Sequence, residues 1–110
     1  MKTIDAHELK QRLQRDNGTM VIDVLPKDHF EAEHVPGSIN IPLGASRFVE
    51  AVEGVAEDKQ QPLVVYCANH DCDLSPKAAE RLEEAGFENV TDFDGGIEEW
   101  KREGYEVTTG

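Results

Sequence analysis

The residues best able to do chemistry in this chain of 110 residues lie in one short segment, which contains Cys67 and, five positions later, Cys72. The segment begins with an apolar run, Leu63–Tyr66, that is typical of a strand buried on both faces of a parallel sheet. It ends at Ser75 and Pro76, which suit the N-cap and the first position of a helix. The pattern predicts a strand, a cysteine, a loop and a helix, and the ends of parallel strands are where α/β sheets hold their functional groups.

Cys67 is the candidate nucleophile of this loop. A thiol that faces a helix amino terminus meets a partial positive charge and inward-pointing N–H groups, which favour the thiolate and lower the thiol pKa below its free value of about 8.5. A thiolate attacks sulfur, carbonyl and disulfide electrophiles, and the same N–H groups would stabilise a persulfide or an oxyanion. The alternative interpretation is that Cys67 is an inert structural cysteine, of a kind that is common at strand ends.

The other loop residues define the remaining possibilities for the site. Cys72 can attack a persulfide or a sulfenate on Cys67, which would release sulfide or water and leave a disulfide; alternatively, Cys72 packs under the loop. His70 is the only acid or base of the loop that titrates near neutral pH, and both a functional role and plain solvent exposure stay open. Cys67, His70 and Cys72 lack a fourth ligand for zinc, so neither a metal nor another cofactor is expected. The candidate loop residues are Ala68, Asn69, His70, Asp71, Cys72, Asp73, Leu74 and Ser75.

Strands and helices alternate along the chain in a way that positions this loop. Strands are predicted at 3–4, 20–24, 38–41, 63–66 and 89–93, and helices begin near Asp5, Asp28, Ser46, Ser75 and Ile97. The alternation implies a parallel sheet with right-handed crossovers and helices on both faces. A chain of this length is expected to form a single domain over residues 1–110.

Local features add detail to this outline. Asp5 and Glu8 form an acidic capping box at the start of the first helix, and Asn17-Gly18 ends that helix. Asp23 closes the second strand at the edge that should also carry Cys67, and we expect it to support this edge through hydrogen bonds to loops. His34 is expected to fix the turn that follows it rather than to transfer protons.

Composition and charge narrow the class of protein. The 23 acidic and 11 basic residues give a formal charge of −12, which disfavours binding to nucleic acid or anionic lipid and would assist docking on a basic protein. No apolar run approaches the roughly 20 residues of a membrane span, and the amino terminus lacks the apolar core of a secretory signal. We therefore expect a cytoplasmic protein whose two cysteines are reactive rather than part of a disulfide framework.

In the order of its motifs the chain resembles the rhodanese-like domain family. These motifs span nearly the whole length and are Asp23-Val24, Phe30, His34–Pro42, Val64–Cys67, Ser75–Leu82, Gly86–Val90 and Gly95–Trp100. The resemblance implies a three-layer α/β/α domain with a five-stranded parallel sheet. It also implies a sulfurtransferase in which Cys67 takes sulfane sulfur as a persulfide and passes it to a thiophilic acceptor, either a small molecule or a protein sulfur carrier.

The loop departs from the pattern of active rhodaneses. It is longer than usual, it contains Asp71 and Asp73, and it has no arginine or lysine between Cys67 and Ser75. Because carboxylates raise a cysteine pKa and repel anions, we expect weak transfer from thiosulfate and a donor sulfur that is thiol-borne or protein-borne. Phosphatases that share this fold need a loop arginine to hold phosphate, so phosphatase activity is not expected.

Two other functions are compatible with the same residues. One is a thiol–disulfide redox relay that uses Cys67 and Cys72. The other is a non-catalytic interaction or regulatory module that keeps the fold and has lost turnover, a hypothesis that the acidic loop favours. The sequence leaves the sulfur donor, the acceptor and the oligomeric state open.

Overall fold

One parallel sheet organises the fold. The computed structural model describes residues 2–15 and 18–110. Its strands are β1 Lys2–Thr3, β2 Met20–Asp23, β3 Ile39–Asn40, β4 Leu63–Tyr66 and β5 Val90–Phe93, and its helices are α1 Ala6–Arg15, α2 Lys27–Ala32, α3 Phe48–Val55, α4 Leu74–Glu84 and α5 Gly96–Arg102. The strands lie in the order β1-β5-β4-β2-β3, and every pair is parallel.

Alternating side chains of the strands build two hydrophobic clusters, one on each face of the sheet. On one face Leu63 and Val65 of β4 pack with residues of α3 and α4. On the other face Val64 and Tyr66 pack with residues of α1 and α5. All four β4 side chains have 0% exposure, as the apolar run predicts for a central strand. The three-layer α/β arrangement with five parallel strands is thus confirmed.

The register of the sheet brings three strand ends to one edge. Asp23 of β2 is level with Tyr66 of β4, and Tyr66 is level with Phe93 of β5. The chain leaves all three strands at this carboxyl edge, so the segments that follow them meet above it. Cys67 is the first residue beyond β4, and the candidate loop lies at this meeting point.

The two ends of α1 were predicted from local sequence. The Glu8 N–H donates to the Asp5 Oδ1 carboxylate oxygen at 2.9 Å, which confirms the N-terminal cap. Of the predicted stop at Asn17-Gly18, Asn17 lies outside the described residues.

Trp100 of α5 is 1% exposed, and its indole N–H donates to the Glu106 carbonyl at 2.7 Å.

The prediction that Ser75 caps α4 is wrong. The helix begins one residue earlier, at Leu74, with Asp73 at the N-cap position and no side-chain capping bond. Ser75 is therefore inside the first turn, where it is buried, and Pro76 occupies the third helical position. The Ser75 hydroxyl is used instead for tertiary contacts with Cys67 and Asp92, which outweigh the local preference of serine for the cap.

Two other elements are shorter than the sequence indicates. β3 has two residues rather than four. The chain beyond it stays beside β2, since the Ile41 N–H donates to the Asp23 carbonyl at 3.0 Å and the Asn40 side-chain amide donates to the carbonyls of Asp23 and Leu25. α3 begins at Phe48 rather than at Ser46. Within the described ranges, no helix combines the length and the apolar character needed to cross a membrane.

Candidate functional site

The two loop cysteines are covalently joined in this structure. Cys67 and Cys72 form a disulfide, with their Cα atoms 6.4 Å apart, within the usual span of such bonds. Cys67 is 1% exposed, and Cys72 and Leu74 are partly buried against the same cluster. The structure therefore brings together the candidate nucleophile and the second cysteine that the sequence singles out, and it shows the pair in its closed, oxidised form.

The amino end of α5 holds the backbone at the start of the loop. The Ile97 N–H donates to the Cys67 carbonyl at 3.1 Å, and the Glu98 N–H donates to the Ala68 carbonyl at 3.0 Å. Gly96 makes this approach possible, since its φ is +61° and a Cβ there would lie 2.7 Å from the Ala68 carbonyl carbon. The position of Cys67 is thus fixed from two sides, by β4 and by α5.

Inside the loop, two N–H groups point to Asn69 rather than to the Cys67 sulfur. The Asp71 N–H donates to the Asn69 side-chain oxygen at 3.0 Å, and the Cys72 N–H donates to the Asn69 carbonyl at 3.1 Å. The expectation that the loop N–H groups face the sulfur therefore does not hold for residues 71 and 72 in the closed form. The Asn69 amide also donates to Glu98 at 3.3 Å, which ties the loop to α5.

A buried serine and a buried aspartate lie behind Cys67. Ser75 Oγ is 3.5 Å from Cys67 Sγ, and the Ser75 side chain also hydrogen bonds to Asp92 of β5. Burial raises the pKa of Asp92, an effect that the Ser75 hydrogen bond partly offsets. Asp92 is not among the site residues predicted from the sequence, although a carboxylate inside the apolar run of a predicted buried strand is itself a signal of a special environment.

His70 lies between the carboxylates of Asp94 and Glu99. Its Nδ1 is 3.4 Å from Asp94 Oδ2, and its Nε2 is 3.4 Å from Glu99 Oε1. The His70 side chain is 58% exposed, and the Glu99 side chain is 13% exposed. Glu99 also accepts a hydrogen bond from the Ala6 N–H at 2.6 Å, so His70 meets a carboxylate that α1 holds in place.

The two loop aspartates differ in their surroundings. Asp71 is exposed and presents its charge to solvent. Asp73 is also exposed, but it pairs with Lys77 at 2.9 Å, and the hydrogen bond and positive charge of Lys77 lower the pKa of Asp73. The positive charge of Lys77 partly offsets the repulsion that Asp73 exerts on an anion, whereas no ion pair of Asp71 is found within residues 2–15 and 18–110.

Asp23 and His34 lie away from the cysteine sulfur. Asp23 is level with Tyr66, whose side chain is on the opposite face of the sheet from the cluster that contains Cys67. Asp23 Oδ1 accepts from the Leu25 N–H at 2.9 Å, and burial raises the pKa of Asp23. His34 stacks on Phe30 with ring centroids 3.7 Å apart, and its Nδ1 is 2.8 Å from the Phe30 carbonyl, so Nδ1 carries the proton.

The cysteine pair does not line either of two open cavities of the molecule. One, of about 310 Å³, lies between α3 and the start of β4 and is lined by Glu53, Ala56, Glu57, Asp58, Lys59, Gln60 and Phe87. The other, of about 250 Å³, is lined by Asp5, Ala6, His7, Glu99, Arg102 and Glu103. In the part of the chain that the structure describes, no group of three or more histidine, cysteine or acidic side chains is arranged to hold a metal ion.

Comparison with known proteins defines the class to which this fold and loop belong. Residues 5–103 match the sequence profile of the rhodanese-like domain, so the chain belongs to the rhodanese-like domain family. This confirms the resemblance that the motifs indicate.

Particular relatives carry different names. The chain is 35% identical over 104 residues to the HTH-type transcriptional regulator Rv0324 of Mycobacterium tuberculosis, a match that covers 94% of this chain and 43% of the regulator. It is 32% identical over 89 residues to the thiosulfate sulfurtransferase GlpE of Coxiella burnetii, covering 81% of this chain and 78% of that protein. Other relatives are named as adenylyltransferases and sulfurtransferases or as a putative sulfur carrier protein. In several of these the matched part is less than half of the protein.

A solved structure supports the same assignment. The rhodanese-related protein of Thermoplasma volcanium superposes with a TM-score of 0.82 at 29% identity, and the match covers 100% of both chains.

Proposed function

We propose that this chain is a sulfurtransferase or sulfur carrier that holds sulfane sulfur as a persulfide on Cys67. The observation that carries the proposal is the placement of Cys67 at the carboxyl end of the central strand, with its backbone fixed by α5 and its sulfur bonded to the sulfur of Cys72. Membership of the rhodanese-like family supports it, since relatives of this family are named as sulfurtransferases and as a sulfur carrier.

The transfer proceeds by two displacements at sulfur. The Cys67 thiolate attacks the outer sulfur of a donor persulfide, the donor S–S bond breaks, and the donor leaves as a thiolate. An acceptor thiolate then attacks the outer sulfur of the Cys67 persulfide and releases the Cys67 thiolate. Since Asp71 adds an exposed negative charge to the loop, the proposed donor and acceptor are thiols of small molecules or of a protein carrier rather than thiosulfate.

The test is sulfur loading of the reduced chain. After incubation with glutathione persulfide, peptide mass spectrometry should find one added sulfur atom on Cys67, and Cys67→Ser should carry none at that position. Cys72→Ser is the matched control because it removes the other thiol of the loop without touching the nucleophile. An adduct on Cys72 alone, or no adduct on Cys67 in either the wild type or Cys72→Ser, would overturn the assignment and favour the non-catalytic module.

A second candidate function, the thiol–disulfide relay, is favoured by the disulfide itself. In this reaction the Cys72 thiolate attacks Cys67 Sγ of the persulfide, the outer sulfur leaves as sulfide, and the two cysteines become oxidised. An external thiol then reduces the disulfide and is itself oxidised.

The relay makes its own quantitative prediction. Wild-type chain loaded with sulfur should release sulfide without added thiol, whereas Cys72→Ser should retain the persulfide, with at least a tenfold longer lifetime. Sulfide release is followed by a colorimetric assay, and free thiols are titrated in parallel. Equal persulfide lifetimes in the two chains would exclude the relay and leave the sulfurtransferase proposal intact.

A further inference from the structure

Cys67 is connected to a buried carboxyl group through one hydroxyl. Ser75 Oγ is 3.5 Å from Cys67 Sγ and hydrogen bonds to Asp92, and each of the three residues is 1% exposed. The Asp92 Oδ1 atom is buried and has no hydrogen-bond partner among the described residues. A carboxyl group in this position can exchange a proton with the thiol through the serine.

We propose that Asp92 accepts, through Ser75, the proton that Cys67 loses when the reduced thiol becomes a nucleophile. Before transfer, the Cys67 S–H donates to Ser75 Oγ and the Ser75 O–H donates to the Asp92 carboxylate. The thiol proton then passes to Ser75 Oγ, while the hydroxyl proton of Ser75 passes to Asp92. The products are a Cys67 thiolate that accepts a hydrogen bond from Ser75 and a neutral Asp92.

Charge balance in the buried site favours this exchange. Before and after the two proton shifts the site holds one negative charge, first on Asp92 and then on Cys67. Losing the Cys67 proton to solvent instead would leave two negative charges in a water-poor site, which costs more because like charges repel strongly there. Asp92 is a positioning residue in this scheme, since it acts on the sulfur only through Ser75.

The charged groups around Asp92 agree with this role. Burial and the negative charge of Asp94 raise the pKa of Asp92, while Ser75 and the nearby His70 lower it. The His70 ring also contacts Glu99 of α5, with Nε2 lying 3.4 Å from Glu99 Oε1. The residues level with Asp92 on the neighbouring strands are uncharged, namely Thr3 on β1 and Val65 on β4.

The proposal rests on the proposed function only in taking Cys67 as the reacting thiol, and it is tested without any sulfur donor. The probe is iodoacetamide, and the parent is the full chain carrying Cys72→Ser, which keeps Cys67 reduced. In the parent the alkylation rate of Cys67 should rise with pH in two steps. The first step appears as the Asp92–Cys67 pair loses its first proton, and the second as the pair loses the other.

Three variants of this parent test whether the Cys67 proton passes through Ser75 to Asp92. Asp92→Asn and Ser75→Ala should each lose the first step and leave a single inflection, whereas Ser75→Thr keeps a hydroxyl and should restore it. Thr91→Val is the matched control, because Thr91 is the neighbouring buried polar residue of β5 and its hydroxyl has no partner among the described residues. Burial of Cys67 slows alkylation by the same factor at every pH. The number of inflections in the plot of rate against pH is therefore what is compared between the chains.

The outcomes separate this proposal from the proposed function. A single inflection in the parent, or two inflections that survive in both Asp92→Asn and Ser75→Ala, would overturn the proposed proton transfer from Cys67 to Asp92. Two steps in the parent together with no sulfur adduct on Cys67 would sustain the proton transfer through Ser75 and overturn the sulfurtransferase assignment. A thiol that alkylates only after unfolding would overturn both.

Discussion

At the scale of single residues, the chain buries two aspartates and uses them differently. Asp23 lies on the face of α1 and α5, where its carboxylate accepts from the Leu25 N–H and contacts Tyr66. Asp92 lies behind Cys67, where it contacts Ser75. Burial raises the pKa of both side chains, so each costs stability when it is ionised in the folded state.

This cost gives a pH dependence for Asp23. Because its folded pKa is raised above the ordinary value of 3.8, the folded chain binds more protons than the unfolded chain as the pH rises through that window, and stability falls. We expect the free energy of unfolding of wild type, relative to Asp23→Asn, to decrease as the pH rises above about 4. Urea unfolding at several pH values measures it, and a difference that stays flat or grows with pH would contradict the assignment.

At the scale of elements, the contact between α5 and the loop depends on one glycine. Gly96 combines a φ of +61° with a close approach to the Cys67 and Ala68 carbonyls. We expect Gly96→Ala to destabilise the fold by about 2 kcal/mol or more, because a Cβ is strained at this φ and clashes with the loop backbone. The variant should also load less sulfur on Cys67.

Gly54 is the matched control for this substitution. It lies inside α3, and a Cβ there meets no atom within 4 Å. Gly54→Ala should therefore stabilise the fold by at most about 1 kcal/mol, the gain of alanine over glycine in a helix interior, because Gly54 lies in the last turn of α3. If thermal or urea unfolding shows both alanine variants to be equally stable, the loop contact of Gly96 is not what holds α5 in place.

Among the helices, strands and loops, those set by local patterns could be predicted from the sequence. The central strand and Cys67 could be placed because a continuous apolar run followed by a cysteine is a local pattern. The role of Ser75 could not be, since its local pattern indicates a cap and its tertiary partner, Asp92, is brought near only by the pairing of β4 and β5. The anchoring of the loop by α5 is likewise a long-range contact that no spacing reveals.

At the scale of the whole molecule, the charge of −12 should govern which reagents reach Cys67. Iodoacetate and iodoacetamide perform the same alkylation, but only iodoacetate is an anion. We expect the rate of iodoacetate relative to iodoacetamide to rise severalfold as salt increases from about 0.01 to 0.5 M, because salt screens the repulsion. The measurement uses the Cys72→Ser chain, so that Cys67 is the reacting thiol.

Single substitutions separate the repulsion of iodoacetate by the loop charge of Asp71 from its repulsion by the net charge of the whole chain. Asp71→Asn should raise the iodoacetate rate at low salt, whereas Glu57→Gln makes the same change of charge near the 310 Å³ cavity and should have a smaller effect. If the two variants behave alike, the acidity of the loop has no special influence on anionic donors, and the reason for expecting weak transfer from thiosulfate is lost.

The two outer strands of the sheet, β1 and β3, have two residues each. Strands this short offer another polypeptide few free backbone groups, so neither edge is a good template for strand addition or for edge-to-edge aggregation. A protein that exchanges sulfur with this chain would then bind through side chains and loops at the carboxyl edge, presenting a thiol on a flexible segment. We expect such a contact to be small and short-lived, as transient interfaces are.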